Sequence, residues 1–247
     1  MPLALQNATR ALKPLIDSDK EYVCLMKLHA DVSEDKIREA LLKFQGEIYQ
    51  KPPLRSSVKR VRRIRKIYKV EPLEINGRNV LFRARVDPGT YMRKLCVDLG
   101  YALGVEAHME ELRRTKSGVF DEKNSVDLYD VYGAVLDLRE GNETTIRKIV
   151  RPIEEALAPF PKVVIADASV DPVCRGMALR GEQILAAEKG ITAGTEVVLI
   201  TKRKEAVALG VAKADCKDLP LSENPFNISR VIMDAGMYPR LTGSPPV

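Results

Sequence analysis

The 247-residue sequence is poor in the residues that build metal centres and disulfide scaffolds. It has no tryptophan, and His29 and His108 are its two histidines. Its four cysteines lie far apart in the chain and form no C-x-x-C pair. Structural zinc sites need clusters of such ligands, and disulfide-stabilised domains are rich in cysteine. We therefore expect neither feature, and Cys96 is expected to be a reduced, buried thiol.

Long apolar runs are missing as well. No stretch approaches the roughly 20 apolar residues of a membrane helix, and the first residues lack the apolar centre of a signal peptide. Apolar residues make up 45% and charged residues 30% of the chain, which is typical of a soluble globular protein. The length is sufficient for two domains. We expect an intracellular protein without a membrane anchor.

The positive charge of the chain is concentrated in residues 51–69. This stretch carries nine Lys or Arg and no acid, against a net charge of +6 for the whole chain, so the remainder sums to −3. Most charge runs are solvated surfaces, but this imbalance favours binding to a polyanion. Val61, Ile64 and Ile67 interrupt the charges and predict one packed side. The candidate contacts to a polyanion in this stretch are Lys59, Arg60, Arg62, Arg63 and Arg65.

Residues 89–104 predict a helix with one buried face. Thr90 follows a turn and is a plausible N-cap. Apolar residues then recur with helical spacing; they are Met92, Leu95, Cys96, Leu99, Ala102 and Leu103. Arg93 points away from this stripe, and Tyr91 falls at its edge. A cation in the first turn opposes the helix dipole unless an anion is bound nearby. A surface arginine beside a half-buried tyrosine is the alternative interpretation.

The remaining pattern divides the chain near residue 160. Residues 21–30 predict a strand, and a helix capped by Ser33 and ended by Gly46 follows. Residues 126–139 and 144–157 predict further helices, with Pro152 starting or kinking one. Residues 158–161, A-P-F-P, are the predicted domain boundary. Beyond it, short apolar strands predict a small, mostly antiparallel barrel; they are residues 163–165, 173–179, 196–200 and 206–211.

Four motifs in order resemble the TruB/dyskerin family of RNA pseudouridine synthases. They are K-E-Y-V (20–23), P-P-L-R-S-S-V-K-R (52–60), G-T-Y-M-R (89–93) and L-R-R-T-K-S-G (112–118). The last third, with G-V-A-K-A and R-V-I-M-x-x-x-x-Y-P-R, resembles the PUA domain of the archaeal and eukaryotic branch. The resemblance implies an α+β fold. A mainly antiparallel catalytic sheet (1–160) would precede a small β-barrel PUA domain for RNA binding (161–240).

The resemblance also implies roles for individual residues. Tyr22 matches the tyrosine that stacks on a flipped-out uridine and is thought to remove its C5 proton. Arg93 matches the arginine that pairs with the catalytic aspartate. Tyr91 and Leu112 match positions that line the uridine pocket, although Leu112 could simply be core and Tyr22 could cap a strand edge. Arg113 and Arg114 lie in a further basic segment and are added to the predicted RNA contacts.

The nucleophilic aspartate of the family is not found in this sequence. It belongs to a G-T-L-D-P motif that precedes a segment resembling residues 1–10, and no such motif occurs here. Asp87 does not match its position. One explanation is a truncated or misassigned reading frame of an active enzyme, and the other is an RNA-binding scaffold on a decayed synthase fold. We expect this chain alone to be inactive.

The resemblance implies an enzyme without a metal or an organic cofactor. Its implied partners are a guide RNA, a substrate RNA and small box H/ACA accessory proteins, with ribosomal and transfer RNA as substrates. A further hypothesis is a transfer-RNA enzyme that acts without a guide RNA. The chain ends without a Lys-rich tail, which favours an archaeal cytoplasmic protein; a eukaryotic one would be nucleolar.

Overall fold

The computed structural model describes residues 2–52 and 59–239. The chain folds into two compact units. The first contains Leu15–Ser125, and the second joins Leu3–Pro14 to the chain from Val126 onward. The domain boundary placed at residue 160 from the sequence stays a prediction.

The first unit is built on a six-stranded antiparallel sheet. Its strands are β1 (Lys20–Leu28), β2 (Gly46–Gln50), β3 (Arg63–Asn76), β4 (Asn79–Val86), β5 (Ala107–Ser117) and β6 (Phe120–Asp121). Their order across the sheet is β2-β3-β4-β1-β5-β6. The helices are α1 (Leu12–Asp17), which crosses the boundary between the units, α2 (Glu34–Lys43) and α3 (Met92–Ala102).

One face of this sheet carries the core. Alternation along β1 turns Cys24, Met26 and Leu28 to the same side, where all three are buried, because successive side chains of a strand point to opposite faces. Phe82 of β4 lies directly opposite Cys24. Buried residues of α2 and α3 join the same cluster, so both helices pack on one face. The other face carries ion pairs such as Arg83–Glu71.

Helix α3 has the predicted buried face but a different start. Met92, Leu95, Cys96 and Leu99 are buried, as predicted, whereas Ala102 is exposed. The predicted N-cap was wrong: Tyr91 holds that position, in an extended conformation and without a side-chain cap. The Thr90 hydroxyl donates instead to the carbonyl oxygen of Asp87 at 2.8 Å, because the Asp87–Thr90 turn brings that carbonyl within reach. Gly89 permits this turn through its positive φ of 74°.

Up to residue 239, the second unit comprises helices α4 to α7 and strands β7 to β11. The helices are α4 (Leu128–Arg139), α5 (Thr144–Ile149), α6 (Ile153–Ala156) and α7 (Asp167–Cys174). The strands are β7 (Lys162–Ile165), β8 (Ile184–Ala187), β9 (Glu196–Ile200), β10 (Ala206–Ala212) and β11 (Phe226–Val231). Pro152 is the N-cap of α6, which confirms the predicted break.

The second sheet differs from the sequence prediction in one strand. Its order is β11-β10-β9-β7-β8, and β7 and β9 are parallel whereas the other pairs are antiparallel. The predicted strand at residues 173–179 was wrong. Val173 and Cys174 end α7, and Gly176 follows with a φ of 86°, which stops the helix. The strand that pairs with β7 at the edge of this sheet is β8.

Candidate active site

Tyr22 lies on β1 at the edge of the core of the first unit. Its neighbours across the sheet are Ala84 on β4 and Arg114 on β5. Tyr22 shares the face of Cys24, two residues further along the strand, and its partly buried ring packs against the core. One side of the ring is therefore held by the fold while the rest stays accessible, as stacking on a base requires.

Leu112 lies on the same face as Tyr22. It is directly opposite Cys24, and directly opposed residues of paired strands turn their side chains to one side. Although Cys24 is completely buried, Leu112 remains 40% exposed. The alternative that Leu112 simply belongs to the core is therefore wrong. An exposed leucine next to a half-buried tyrosine gives this face an open apolar surface.

The pairing of β1 with β5 is irregular on both sides of this position. Register shifts occur between Glu21 and Tyr22 and between Leu25 and Met26. β-Bulges of this kind re-aim side chains and often lie beside functional sites. Between the two shifts, the pairs Tyr22–Arg114 and Cys24–Leu112 keep a regular register.

Arg93 lies in the first turn of α3 and is exposed. Within the part of the chain that the structure describes, the side chain of Arg93 makes no ion pair or hydrogen bond. The first turn of α3 contains no acidic residue, so this cation opposes the helix dipole without compensation. The guanidinium is therefore available to an anion that these residues do not supply.

Two buried thiols join the elements that carry Tyr22 and Arg93. The Sγ atoms of Cys24 on β1 and Cys96 on α3 are 3.5 Å apart. Cys96 lies three residues after Arg93, and Cys24 two residues after Tyr22. The hydrogen bond between the two thiols, together with burial, raises the pKa of Cys96 far above its ordinary value. A thiol in this state is not a nucleophile at neutral pH, so the pair serves packing, as expected for Cys96.

Tyr91 is held by Gln50 at the end of β2. The backbone N–H of Tyr91 donates to Gln50 Oε1 at 2.9 Å, and Gln50 Nε2 donates to the Tyr91 carbonyl oxygen at 3.2 Å. Gln50 is only 2% exposed. Sequence reasoning missed this residue. The signal available to it was a polar side chain two residues after Ile48, at an inward position of the strand and directly before Lys51-Pro52.

The basic stretch is more exposed than its pattern predicted. Val61 and Ile64 are 57% and 50% exposed, so the prediction of one packed side holds only for Ile67. The reason is strand alternation: Ile64 lies opposite Tyr49, which is also exposed, on the face that the helices do not cover. Residues 53–58, which include most of the P-P-L-R-S-S-V-K-R motif, lie outside the described residues.

The predicted RNA-binding cations fall into two groups. Lys59, Arg60 and Arg62 are exposed, whereas Arg63 and Arg65 are partly buried on β3. The guanidinium of Arg65 lies against Gly89 and donates to the Ile64 carbonyl oxygen at 3.0 Å. The first three cations are therefore the most accessible to a polyanion.

Arg113 and Arg114 point to opposite faces of the sheet. Arg114 shares the face of Tyr22, while Arg113 lies opposite Val23 and its Nε donates to Glu122 Oε2 at 2.6 Å. The pKa of Lys20 is lowered first by burial and second by the charge of Arg114. The Tyr22 face thus receives its positive potential from Arg114 rather than from Arg113.

The nearby acid Asp87 has a structural role. Its Oδ1 accepts from the Tyr68 hydroxyl at 2.6 Å and its Oδ2 from the backbone N–H of Lys66 at 2.9 Å. The hydrogen bond to Asp87 raises the pKa of Tyr68. Asp87 therefore connects the turn before α3 to β3 through two hydrogen bonds. This structural role agrees with the sequence argument that Asp87 is not the nucleophile. Residues 2–52 and 59–239 contain no cluster of histidines, cysteines and acids suited to a metal ion.

Comparison with known proteins agrees with this arrangement. Residues 1–92 match the N-terminal domain of the TruB family of pseudouridylate synthases, and residues 93–158 match the C-terminal domain of tRNA pseudouridylate synthase B. Residues 161–224 match the PUA domain. The chain therefore belongs to the TruB family of pseudouridine synthases, and its C-terminal part is a PUA domain. The family resemblance and the α+β fold predicted from the sequence are confirmed.

Curated archaeal relatives cover almost the whole chain. A protein of Methanopyrus kandleri named probable tRNA pseudouridine synthase B is 46% identical over 246 residues, covering 98% of this chain and 73% of the relative. The protein of the same name from Archaeoglobus fulgidus is 43% identical over 244 residues, covering 98% of this chain and 75% of the relative. The chain thus spans about three quarters of their length.

Solved structures show the same fold. A chain from the crystal structure of a Cbf5-Nop10-Gar1 complex matches with a TM-score of 0.89 and 43% identity, covering 96% of this chain and 74% of that one. A chain from an H/ACA RNP bound to a substrate RNA containing 2′-deoxyuridine matches with a TM-score of 0.87 and 40% identity, covering 97% and 74%. Among the described residues, no helix is both long and apolar enough to cross a bilayer.

Proposed function

We propose that this chain carries most of the uridine-isomerising site of the catalytic subunit of a box H/ACA guide-RNA ribonucleoprotein, which converts uridine to pseudouridine in ribosomal and transfer RNA, and that this chain alone is inactive. The observation that carries the proposal is Arg93. It is exposed, without a described partner, on the helix that packs beside the Tyr22 strand. A guanidinium in this position holds a carboxylate bidentately and keeps it ionised.

In this proposal some residues of the site bind the base and others take part in the reaction. In the family reaction an aspartate attacks the nucleoside, and the uracil detaches, rotates and rejoins through C5. Tyr22 stacks on the flipped base and removes the C5 proton, while Arg93 orients the aspartate. Tyr91 and Leu112 border the base, because apolar and aromatic surfaces hold an unstacked base and exclude water. No G-T-L-D-P occurs among the 247 residues, so the carboxylate is not assigned to any of them.

The proposed partners follow from the relatives. The solved relatives include one with Nop10 and Gar1 and one with a substrate RNA. We propose the same classes of partner here, namely small box H/ACA accessory proteins, a guide RNA and a substrate RNA. The PUA domain would hold the guide RNA. No metal or organic cofactor takes part in the proposed reaction, and its proposed location is the archaeal cytoplasm.

The proposal is tested by tritium release from RNA labelled at C5 of uridine. A fusion places an N-terminal segment that carries the family's G-T-L-D-P motif before Met1, and the Methanopyrus kandleri relative is assayed beside it. The fusion is assembled with guide RNA and accessory proteins. We expect release from the fusion, and none from this chain alone or from the fusion with the motif aspartate replaced by asparagine.

Other outcomes of this assay decide between the alternatives. RNA binding without release from the fusion, while the intact relative is active in parallel, would support the non-catalytic scaffold and contradict the proposal. Release that does not require guide RNA would instead favour a guide-independent transfer-RNA enzyme.

The exposed cations predict a measurable salt dependence. Replacing Arg60 and Arg62 together by alanine should weaken RNA binding and reduce the log–log salt slope by about 0.7 to 0.9 for each phosphate that is no longer neutralised. The matched control replaces Arg38 and Lys43, which pair with Glu34 and Glu39 on α2. Fluorescence anisotropy at several salt concentrations gives both slopes. Equal slopes for the two double variants would remove Arg60 and Arg62 from the RNA-binding surface.

A further inference from the structure

We propose that Gln50 is a positioning residue of the active site, which fixes the peptide of Tyr91 and thereby the direction of Arg93. The inference rests on the function proposed above. Gln50 touches neither the proposed uridine nor the proposed carboxylate. It acts through the first turn of α3.

The geometry of the contact is that of one amide matched to another. Gln50 presents its Oε1 acceptor to the Tyr91 N–H and its Nε2 donor to the Tyr91 carbonyl, at 2.9 and 3.2 Å. Buried polar groups must be satisfied, because an unmade hydrogen bond in a dry environment is costly. The side chain is almost completely buried, so these bonds are shielded from exchange with water. Gln50 is thereby fixed in one orientation.

The position of Tyr91 makes this contact matter for Arg93. Tyr91 is the N-cap of α3 and has no side-chain cap bond, and its carbonyl accepts the helical hydrogen bond from Leu95 at 3.0 Å. The peptide that Gln50 holds is therefore the one from which the helix starts. Arg93 follows two residues later, still in the first turn, where helix ends otherwise fray. Holding the first peptide limits rotation of that turn and keeps the guanidinium aimed.

Gln50 also links this helix to the basic stretch. It ends β2 and lies opposite Arg63, and Lys51 and Pro52 follow directly. The Pro52 carbonyl oxygen accepts from Arg60 Nε at 3.4 Å. Arg60, one of the exposed cations that would contact RNA, is therefore linked to Gln50 through two residues of the chain and one hydrogen bond. A catalytic helix and an RNA-binding segment are connected through one buried side chain.

The test uses the fusion that is active in the tritium-release assay. Gln50→Met keeps the length of the side chain but removes both hydrogen bonds. We expect kcat to fall about 10- to 100-fold, since a displacement of about 1 Å at a catalytic group costs up to about 100-fold. We expect KM for RNA to change less than about threefold, because the RNA contacts remain. Gln45→Met, the same change at a nearby exposed glutamine, is the matched control and should leave both constants unchanged.

A second control separates positioning from general destabilisation. Val70→Ala removes buried apolar volume from β3 without touching α3's first turn, and it should lower the melting temperature while leaving kcat near that of the parent. If Gln50→Met lowers kcat no more than Val70→Ala, the proposal is overturned. If the parent fusion itself releases no tritium, the proposed function fails first and the inference falls with it.

Two further measurements separate positioning from poor folding of Gln50→Met. In Gln50→Glu, a protonated carboxylic acid offers one donor and one acceptor, as the amide does, so its kcat relative to the parent should rise as the pH is lowered. A flat ratio would contradict the proposal. In this chain itself, hydrogen exchange at the Tyr91 amide should accelerate in Gln50→Met, which lacks the acceptor oxygen, while Leu99 stays protected, and unchanged exchange at Tyr91 would equally overturn the proposal.

Discussion

Replacing Tyr22 by leucine should lower the rate of pseudouridine formation by about 10²- to 10⁴-fold, the range typical for loss of a positioned general base. Leucine is apolar and fits the edge of the core, so the loss would come from chemistry and stacking rather than from a hole in the protein. The measurement is tritium release from the fusion at saturating RNA, with binding measured separately by anisotropy.

The phenylalanine variant divides the two roles given to Tyr22. Tyr22→Phe keeps the ring that stacks on the base but removes the hydroxyl. If the hydroxyl takes the C5 proton, this variant binds RNA normally and releases tritium as slowly as Tyr22→Leu. Tyr101→Phe, which removes a hydroxyl from an exposed tyrosine of α3, is the control. A full rate in Tyr22→Phe would leave only the stacking role, and a full rate in Tyr22→Leu would exclude Tyr22 from the site.

The largest loss of stability is expected for Phe82→Ala. Phe82 is completely buried on β4, between Cys24 of β1 and Pro72 of β3. Removing a buried phenylalanine costs about 3–5 kcal/mol through lost burial and the cavity that remains. Domains have only about 5–15 kcal/mol of unfolding free energy, so this one change would remove a large part of the total.

Urea unfolding followed by circular dichroism measures this change, with hydrogen exchange assigning it to the first unit. The control is Tyr49→Ala, which also truncates an aromatic residue of the same sheet, but one that is 66% exposed. Its effect should lie within about 0.5 kcal/mol of zero. A loss below about 1 kcal/mol for Phe82→Ala would mean that the sheet repacks around the gap.

Elements with a strong period could be predicted from the sequence, and short apolar runs could not. The buried stripe of α3 was correct through Leu99 because four apolar residues with helical spacing leave little choice of face. Residues 173–179 were misassigned because a short run of this kind fits a strand or a helix end equally well. Ile64 was misassigned because a pattern does not reveal that one face of the sheet remains uncovered, and Val61 because it lies before β3 begins at Arg63.

The residues of the candidate site could be predicted from family motifs but not from hydrophobic or charge periodicity. Tyr22, Tyr91, Arg93 and Leu112 came from the family resemblance, and their roles stay predictions that the variants above address. Gln50 was invisible because its partner is a backbone peptide, which has the same chemistry at every residue. Only the fold determines which peptide a buried amide meets.

The two register shifts between β1 and β5 have a consequence for how this site can change. A strand slipped by one residue exchanges its two faces, so Leu112 and Arg114 would leave the side of Tyr22 and Arg113 would replace them. The side chains presented on the Tyr22 face thus depend on the register of β1 and β5 as well as on the residues that the two strands contain. A substitution between the bulges changes one side chain of this surface, whereas a single insertion or deletion in β1 or β5 exchanges the side chains of the whole face.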